Sequence, residues 1–420
     1  MRMDPDSPTK AAPMTASGAP SRYWALDMAR GIAMLFVFLA HYSQIYFVET
    51  TAWAQLFHSY GVMTGRIAAP AFVLVSGFLL GFLYQNRSGD WGAVRIHLID
   101  KAIFMATVGH LLIALFVAAK TTTALWQRHI TDTIAFCVLL GTLVVPRTTP
   151  LMRLALAGAL YGMSWIAWLF WDPTISIGTF LKGVFIGAQT EDASIFWFPL
   201  MPWGSLYLAG SGLGGYAGAQ NAKELHTSVA VRLIKIGVGA VALSMVIRVI
   251  DQFLEHSLSP RPHAMLHASA SLYQIYPPSP SYLLLYSGIS VMMIGGLYLV
   301  ERAWRGQPVA QVLEDLGQSS LIAYVLQFLV YYTAIFLLVT KTDLAPTGLW
   351  PVYFLTSVAL LLLLVRMSRR VGLNSLCTVG LPFLLQHRAQ LKMPMLTLVP
   401  PMSPSGRTGG ERRRIPRDEF

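Results

Sequence analysis

Apolar runs of about 20 residues recur from residue 24 to residue 366, separated by short polar intervals. About 20 helical residues cross a ~30 Å hydrocarbon core. Backbone groups in lipid must be satisfied within their own segment, so such runs are helices. The pattern places spans at about 24–48, 67–86, 101–119, 130–146, 151–171, 196–219, 230–250, 281–300, 318–340 and 346–366. The fourth is short, and Arg232, Lys235 and Arg248 crowd the seventh. The fold class expected is all-α: a polytopic integral membrane helix bundle of about ten transmembrane helices. Residues 1–21 are rich in Pro, Ser and Ala and lack an apolar core, which reads as a disordered cytoplasmic tail rather than a signal peptide. Residues 22–384 form the membrane domain. The Pro/Gly-rich segment 385–420, with Arg412, Arg413 and Arg414, reads as a basic disordered cytoplasmic tail.

Composition sharpens this picture. Of the 420 residues, 55% are hydrophobic and 12% charged, and the mean hydropathy is +0.54. A soluble domain carries about 25% charged residues, so the missing polar surface implies lipid. The net charge of +11 would suggest nucleic acid, but ten of the 31 Lys/Arg lie after Val365. Attraction of a tail to anionic headgroups accounts for them, and no nucleic-acid partner is expected. Two cysteines, Cys137 and Cys377, exclude a disulfide framework and a four-thiolate zinc site.

Charge also orients the spans. With the N-terminus inside, Arg66, Lys120, Arg128, Lys182, Arg248, Arg261 and Lys341 lie outside and the other 24 Lys/Arg inside. Both termini are then cytoplasmic, in a cytoplasmic or inner cell membrane. Segment 173–190 is expected to be re-entrant or interfacial, because an eleventh span would put Arg366, Arg369 and Arg370 outside. The longest outside loop, about 251–280, holds His256, His263 and His267. Their spacing matches no tight-ligand pattern, so a solvated loop is expected and no metal.

Ionisable groups within spans are expensive and each suggests function. The first span carries Arg22, Asp27, Arg30 and His41. Arg30 and His41 are eleven residues apart, about 1100° of helix, so they share one face with a rise of roughly 16 Å. One face therefore offers a guanidinium, suited to phosphate, at the cytosolic mouth and a titratable imidazole deeper in. Arg30 and Asp27 also have the i,i+3 spacing of a simple helix-end anchor, and His41 could serve only a packing hydrogen bond. His58 is placed in a loop outside the second span, and His110 lies within the third, as a packing residue or a partner of the site. Ser76, Gly77 and Gly81 suit close helix approach. Gly210, Gly212 and Gly215 imitate a dinucleotide fingerprint, but no strand precedes them, so helix packing is expected. Pro199 and Pro202 are expected to break the sixth span near mid-membrane.

The Arg30–His41 element, preceded by LDMARG and followed by PAFVLVSGFLLG at 70–81, resembles the membrane acyltransferase-3 family. The related heparan-α-glucosaminide N-acetyltransferase-like group is similar in architecture, and FPLMPWGSLYLAGSGLG at 198–214 looks more like it. LGQSSLIAYVLQ at 316–327 resembles a late helix of both groups, where a histidine often ends the motif; here Gln327 stands there. The resemblance covers most of residues 22–340. It implies transfer of an acyl, in the first place acetyl, group from cytoplasmic acyl-CoA to an extracytoplasmic carbohydrate, a glycan or glycolipid. Arg30 and Asp27 would hold the co-substrate acetyl-CoA, and His41 would be the general base. In the glucosaminide group the catalytic histidine precedes the second helix, which makes His58 the alternative base or an acceptor contact. The rival reading is a transporter or flippase of a polar or acylated solute without chemistry. Transporters often carry paired broken helices, and 198–204 has no counterpart in the other half.

Overall fold

The computed structural model describes residues 23–46, 52–118, 125–187, 198–220, 227–255, 257, 259–331, 350–373 and 377–383. Residues 380–420 are a unit of their own, of which 380–383 are described. Among the described residues the regular structure is helical. In chain order the helices are α1 (Trp24–Tyr46), α2 (Ala52–Gly65), α3 (Ala68–Asn86), α4 (Trp91–Phe104), α5 (His110–Val117), α6 (Ile130–Val144), α7 (Pro150–Phe170) and α8 (Ser176–Phe185). There follow α9 (Leu200–Gln220), α10 (Thr227–Leu254), α11 (Pro260–Ala270), α12 (Pro280–Trp304), α13 (Pro308–Gln318), α14 (Ser320–Phe328) and α15 (Trp350–Arg370).

Seven helical stretches among the described residues are long and apolar enough to cross a membrane. The expected span at 196–219 is not among those seven; of those at 318–340 and 346–366, residues 332–349 lie outside the described residues, and the described parts are not among the seven. For α9 the reason is its content: six glycines and two serines lower its hydropathy, yet Trp203, Tyr207 and Ser211 are buried. Helices α3 and α7 enclose it, so it does not need an apolar surface of its own. In the described part of segment 173–190, residues 173–187, the one helix is the ten-residue α8, about 15 Å long and half a hydrocarbon core. On α7 and α10, Leu151, Ile166, Val249 and Phe253 are exposed, which is stable against lipid and unfavourable against water.

Close backbone contact builds the centre. At Gly77 a Cβ would run into the carbonyl of Tyr207, and at Gly214 into the carbonyl of Phe78. Helices α3 and α9 therefore touch backbone to backbone, as small residues permit in membranes. The glycines of α9 are packing residues, as expected: Gly210 meets the Leu74 carbonyl and Gly215 the guanidinium of Arg153. That arginine is 1% exposed and donates to the Ser211 carbonyl at 2.8 Å, so it ties α7 to α9.

Two local readings of the sequence are overturned. Pro202 does not break a span; α9 begins at Leu200, so the proline occupies a first turn whose N–H has no helical partner to lose. The freed Phe198 carbonyl accepts from Thr133 Oγ1 at 2.8 Å. Residues 251–280 are not one loop either, because α10 runs on to Leu254 and α11 covers 260–270, with Pro260 and Pro262 in its first turn.

Packing at glycine gives a direct test. Gly214→Val should reduce the yield of monodisperse protein sharply and lower its melting temperature, because two backbones must separate. Gly158→Val on the exposed face of α7, where a Cβ meets nothing within 4 Å, should leave both near wild type. Size-exclusion and thermal unfolding in detergent compare them.

Candidate active site

Helix α1 is unbroken from Trp24 to Tyr46, so the sequence register of Arg30 and His41 is preserved: one face, about 16 Å of rise. The lower half of α1 is held by α13. Gly31 lies against the Leu313 carbonyl and Gly317 against the Asp27 carbonyl, again with no room for a Cβ. In turn α13 is held by α15, where Arg369 pairs with Asp315 and donates to Gln318 Oε1 at 3.0 Å. Arg30 retains solvent-accessible surface although Asp27 and Tyr207 act on it electrostatically from within the bundle. The hydroxyl of Tyr207, its electrostatic neighbour, is buried without a hydrogen-bond partner.

At the upper end, His41 Nδ1 lies 3.3 Å from Oε1 of Gln327, which is 0% exposed. An amide oxygen is an acceptor only, so this contact keeps the proton on Nδ1 and leaves Nε2 with its lone pair. Phe328 and Tyr331 border the imidazole at centroid distances of 5.7 and 6.3 Å. Phe328 is shared with His129, at 5.6 Å. Through His129 the cluster extends to His110, 5.8 Å away ring to ring, whose Nδ1 bonds Asp132 Oδ2 at 2.9 Å. The same carboxylate oxygen accepts the His129 backbone N–H at 2.9 Å and so caps α6. Burial holds the His129 imidazole down to about 4, so it is neutral at pH 7. His110 follows a single π-helical turn, Met105–Gly109, which re-aims this side chain towards α6.

Three buried polar atoms around this axis have no hydrogen-bond partner: Tyr207 Oη, Gln327 Nε2 and His129 Nε2. Left dry, each costs about 1–3 kcal/mol. At these three positions a polar ligand or a water would supply the missing partner.

Of the residues singled out from sequence, Arg30 and His41 share this axis, Asp27 backs Arg30, and His110 joins the cluster through Asp132. His58 departs from expectation in its backbone: it belongs to α2 rather than to a loop, and its side chain lies outside the described residues. His129 and Asp132 escaped the sequence reading. Their signal was the string HITD directly before an apolar run, which is legible as a helix start but not as a partner for His110. Gln327 stood out only as the residue replacing a histidine.

A family model, described as an acyltransferase domain of the acyltransferase-3 type, matches residues 23–366. No curated protein matches the chain.

The double duty of Asp132 predicts a graded response. Asp132→Ala removes the cap and the His110 partner and should destabilise the protein by about 1–2 kcal/mol. Asp132→Asn keeps an acceptor oxygen and should cost less. Thermal unfolding of both in the same detergent gives the order.

Proposed function

Since the chain belongs to the acyltransferase-3 family, we propose that this membrane acyltransferase takes its acyl group from cytoplasmic acyl-CoA and delivers it to an extracytoplasmic carbohydrate. One arrangement carries the proposal: Arg30 and His41 on a single face of an unbroken helix, with the Gln327 amide against the imidazole. A guanidinium can bind the nucleotide phosphates through paired donors. The roughly 16 Å to His41 suits a pantetheine arm, which brings the thioester to the imidazole. Acetyl-CoA is the donor proposed, and a glycan or glycolipid hydroxyl or amine the acceptor.

His41 Nε2 removes the acceptor's proton as its oxygen or nitrogen bonds to the thioester carbonyl carbon. The tetrahedral intermediate collapses with cleavage of the C–S bond, and the imidazolium returns its proton to the departing thiolate. Gln327 fits two supporting roles. Its Oε1 holds the His41 tautomer, and its unpartnered Nε2–H is a donor for the developing oxyanion. The family's frequent histidine at this position is replaced by a group that can do both without titrating.

The topology proposed with this function has ten spans and both termini in the cytoplasm, supported by the 24 to 7 division of Lys/Arg. A reporter fused after Phe420 should be active only in its cytoplasmic form. Activity of an exported reporter instead would overturn the ten-span arrangement.

Purified protein with labelled acetyl-CoA and a carbohydrate acceptor provides the kinetic test. His41→Ala should lower kcat by 10²–10⁴-fold with CoA affinity near normal. Gln327→Leu should lower it by about 10²-fold or more. Arg30→Lys should raise the KM for acetyl-CoA, since an ammonium does not reproduce a paired guanidinium contact. His58→Ala should retain more activity than His41→Ala; the reverse order would move the chemistry to α2. Label retention by wild-type protein with every acceptor tried, together with solute movement, would favour transport.

A further inference from the structure

The expectation that 251–280 holds no metal site rested on linear spacing, and the fold changes that spacing. His263 and His267 are four residues apart on α11, so they project from one helix face. Asp251 comes from the last turn of α10, the helix that packs against α11. Its Oδ2 lies 3.1 Å from His267 Nδ1, and its Oδ1 lies 3.9 Å from His263 Nε2. One donor atom from each residue falls within 4.8 Å of the other two, the only such triad of His, Cys, Asp or Glu among the described residues.

A hydrogen-bonded Asp–His pair would account for Oδ2. It leaves Oδ1 unexplained. Asp251 is 8% exposed, and its Oδ1 is buried with no hydrogen-bond partner; 3.9 Å to His263 is too long for one. A buried carboxylate oxygen needs a cation or a donor. That orphaned oxygen lies between two imidazoles beside a cavity of about 290 Å³, lined also by Arg248, Glu255 and Tyr273.

From this juxtaposition we propose that Asp251, His263 and His267 bind Zn²⁺, with a fourth, exchangeable position open to the cavity and filled by water or an oxyanion. Carboxylate and imidazole are donors that zinc accepts at 2.0–2.2 Å, in a tetrahedral shell. Ligands so bound are ~3.3 Å apart, so the three donors must close in from within 4.8 Å. Side-chain torsions suffice, because the His267 side chain is 72% exposed. The ion bridges α10 to α11 and so orders the wall of the cavity. Arg248 and Glu255, on the cavity wall, supply one charge of each sign to a molecule approaching the open position.

The test uses the full-length chain in detergent, its affinity tag removed, stripped with EDTA and then titrated with Zn²⁺ or Co²⁺. The expected result is one equivalent of Zn²⁺ retained after desalting, a Zn²⁺-dependent rise in melting temperature, and a tetrahedral Co²⁺ absorption band. Ligand that binds the native state alone must raise the melting point. The paired substitution His263→Ala, His267→Ala should abolish all three, and Asp251→Asn should weaken binding at least tenfold. If Asp251→Asn does not fold, the histidine pair still decides. Absence of a stoichiometric ion, or a Zn²⁺ response unchanged in the histidine pair, overturns the site. Metal content and melting point are read without acyl transfer, so the outcome is independent of the function proposed above.

Discussion

Glycine at helix crossings holds α1 in place, and α1 carries Asp27, Arg30 and His41 of the candidate site. At Gly31 and Gly317 the backbones of α1 and α13 meet without an intervening side chain. Such contacts leave little freedom to slide or rotate. The separation of Arg30 and His41 is then a property of one rigid rod rather than of a flexible loop. A catalytic imidazole misplaced by about 1 Å loses much of its effect, which is why a transmembrane helix is a suitable carrier. The ion pairs of Arg369 and Arg366 with Asp315 complete the clamp from α15.

Lipid imposes a second constraint, that polar groups inside must find partners within the bundle. Arg153 satisfies it by donating to two carbonyls, and it works as a structural tie between α7 and α9. Asp132 meets it in part, with Oδ2 serving an imidazole and a helix N-terminus at once. The unpartnered atoms of Tyr207, Gln327 and His129 are sites where a bound polar group would supply the missing partner.

The region around α11 follows different rules, since it lies at the end of the bundle beside an open cavity. Arg66 lies over the Tyr273 ring at 4.3 Å, and the Tyr282 hydroxyl donates to the Arg66 carbonyl at 2.9 Å. These contacts connect the α2–α3 corner to the segment after α11. A cation at Asp251 would stiffen the opposite wall of the same cavity, leaving Arg248 and Glu255 to face an incoming ligand.

The sequence by itself determined the membrane class, most helix positions, the family, and the shared face of Arg30 and His41. These follow from periodicity and composition, which act within one segment. It also read the α9 glycines correctly as packing residues, because no strand precedes them. It misjudged Pro202, whose effect depends on where α9 begins, and it saw one loop where α10 and α11 meet. Gln327 beside His41, Asp132 under His110, and Asp251 between two histidines join residues separated by 286, 22 and up to 16 positions. Only the tertiary structure decided these, because a hydrogen bond or a ligand set depends on which helices pack side by side, and that choice rests on the small residues at their crossings rather than on the polar residues they bring together.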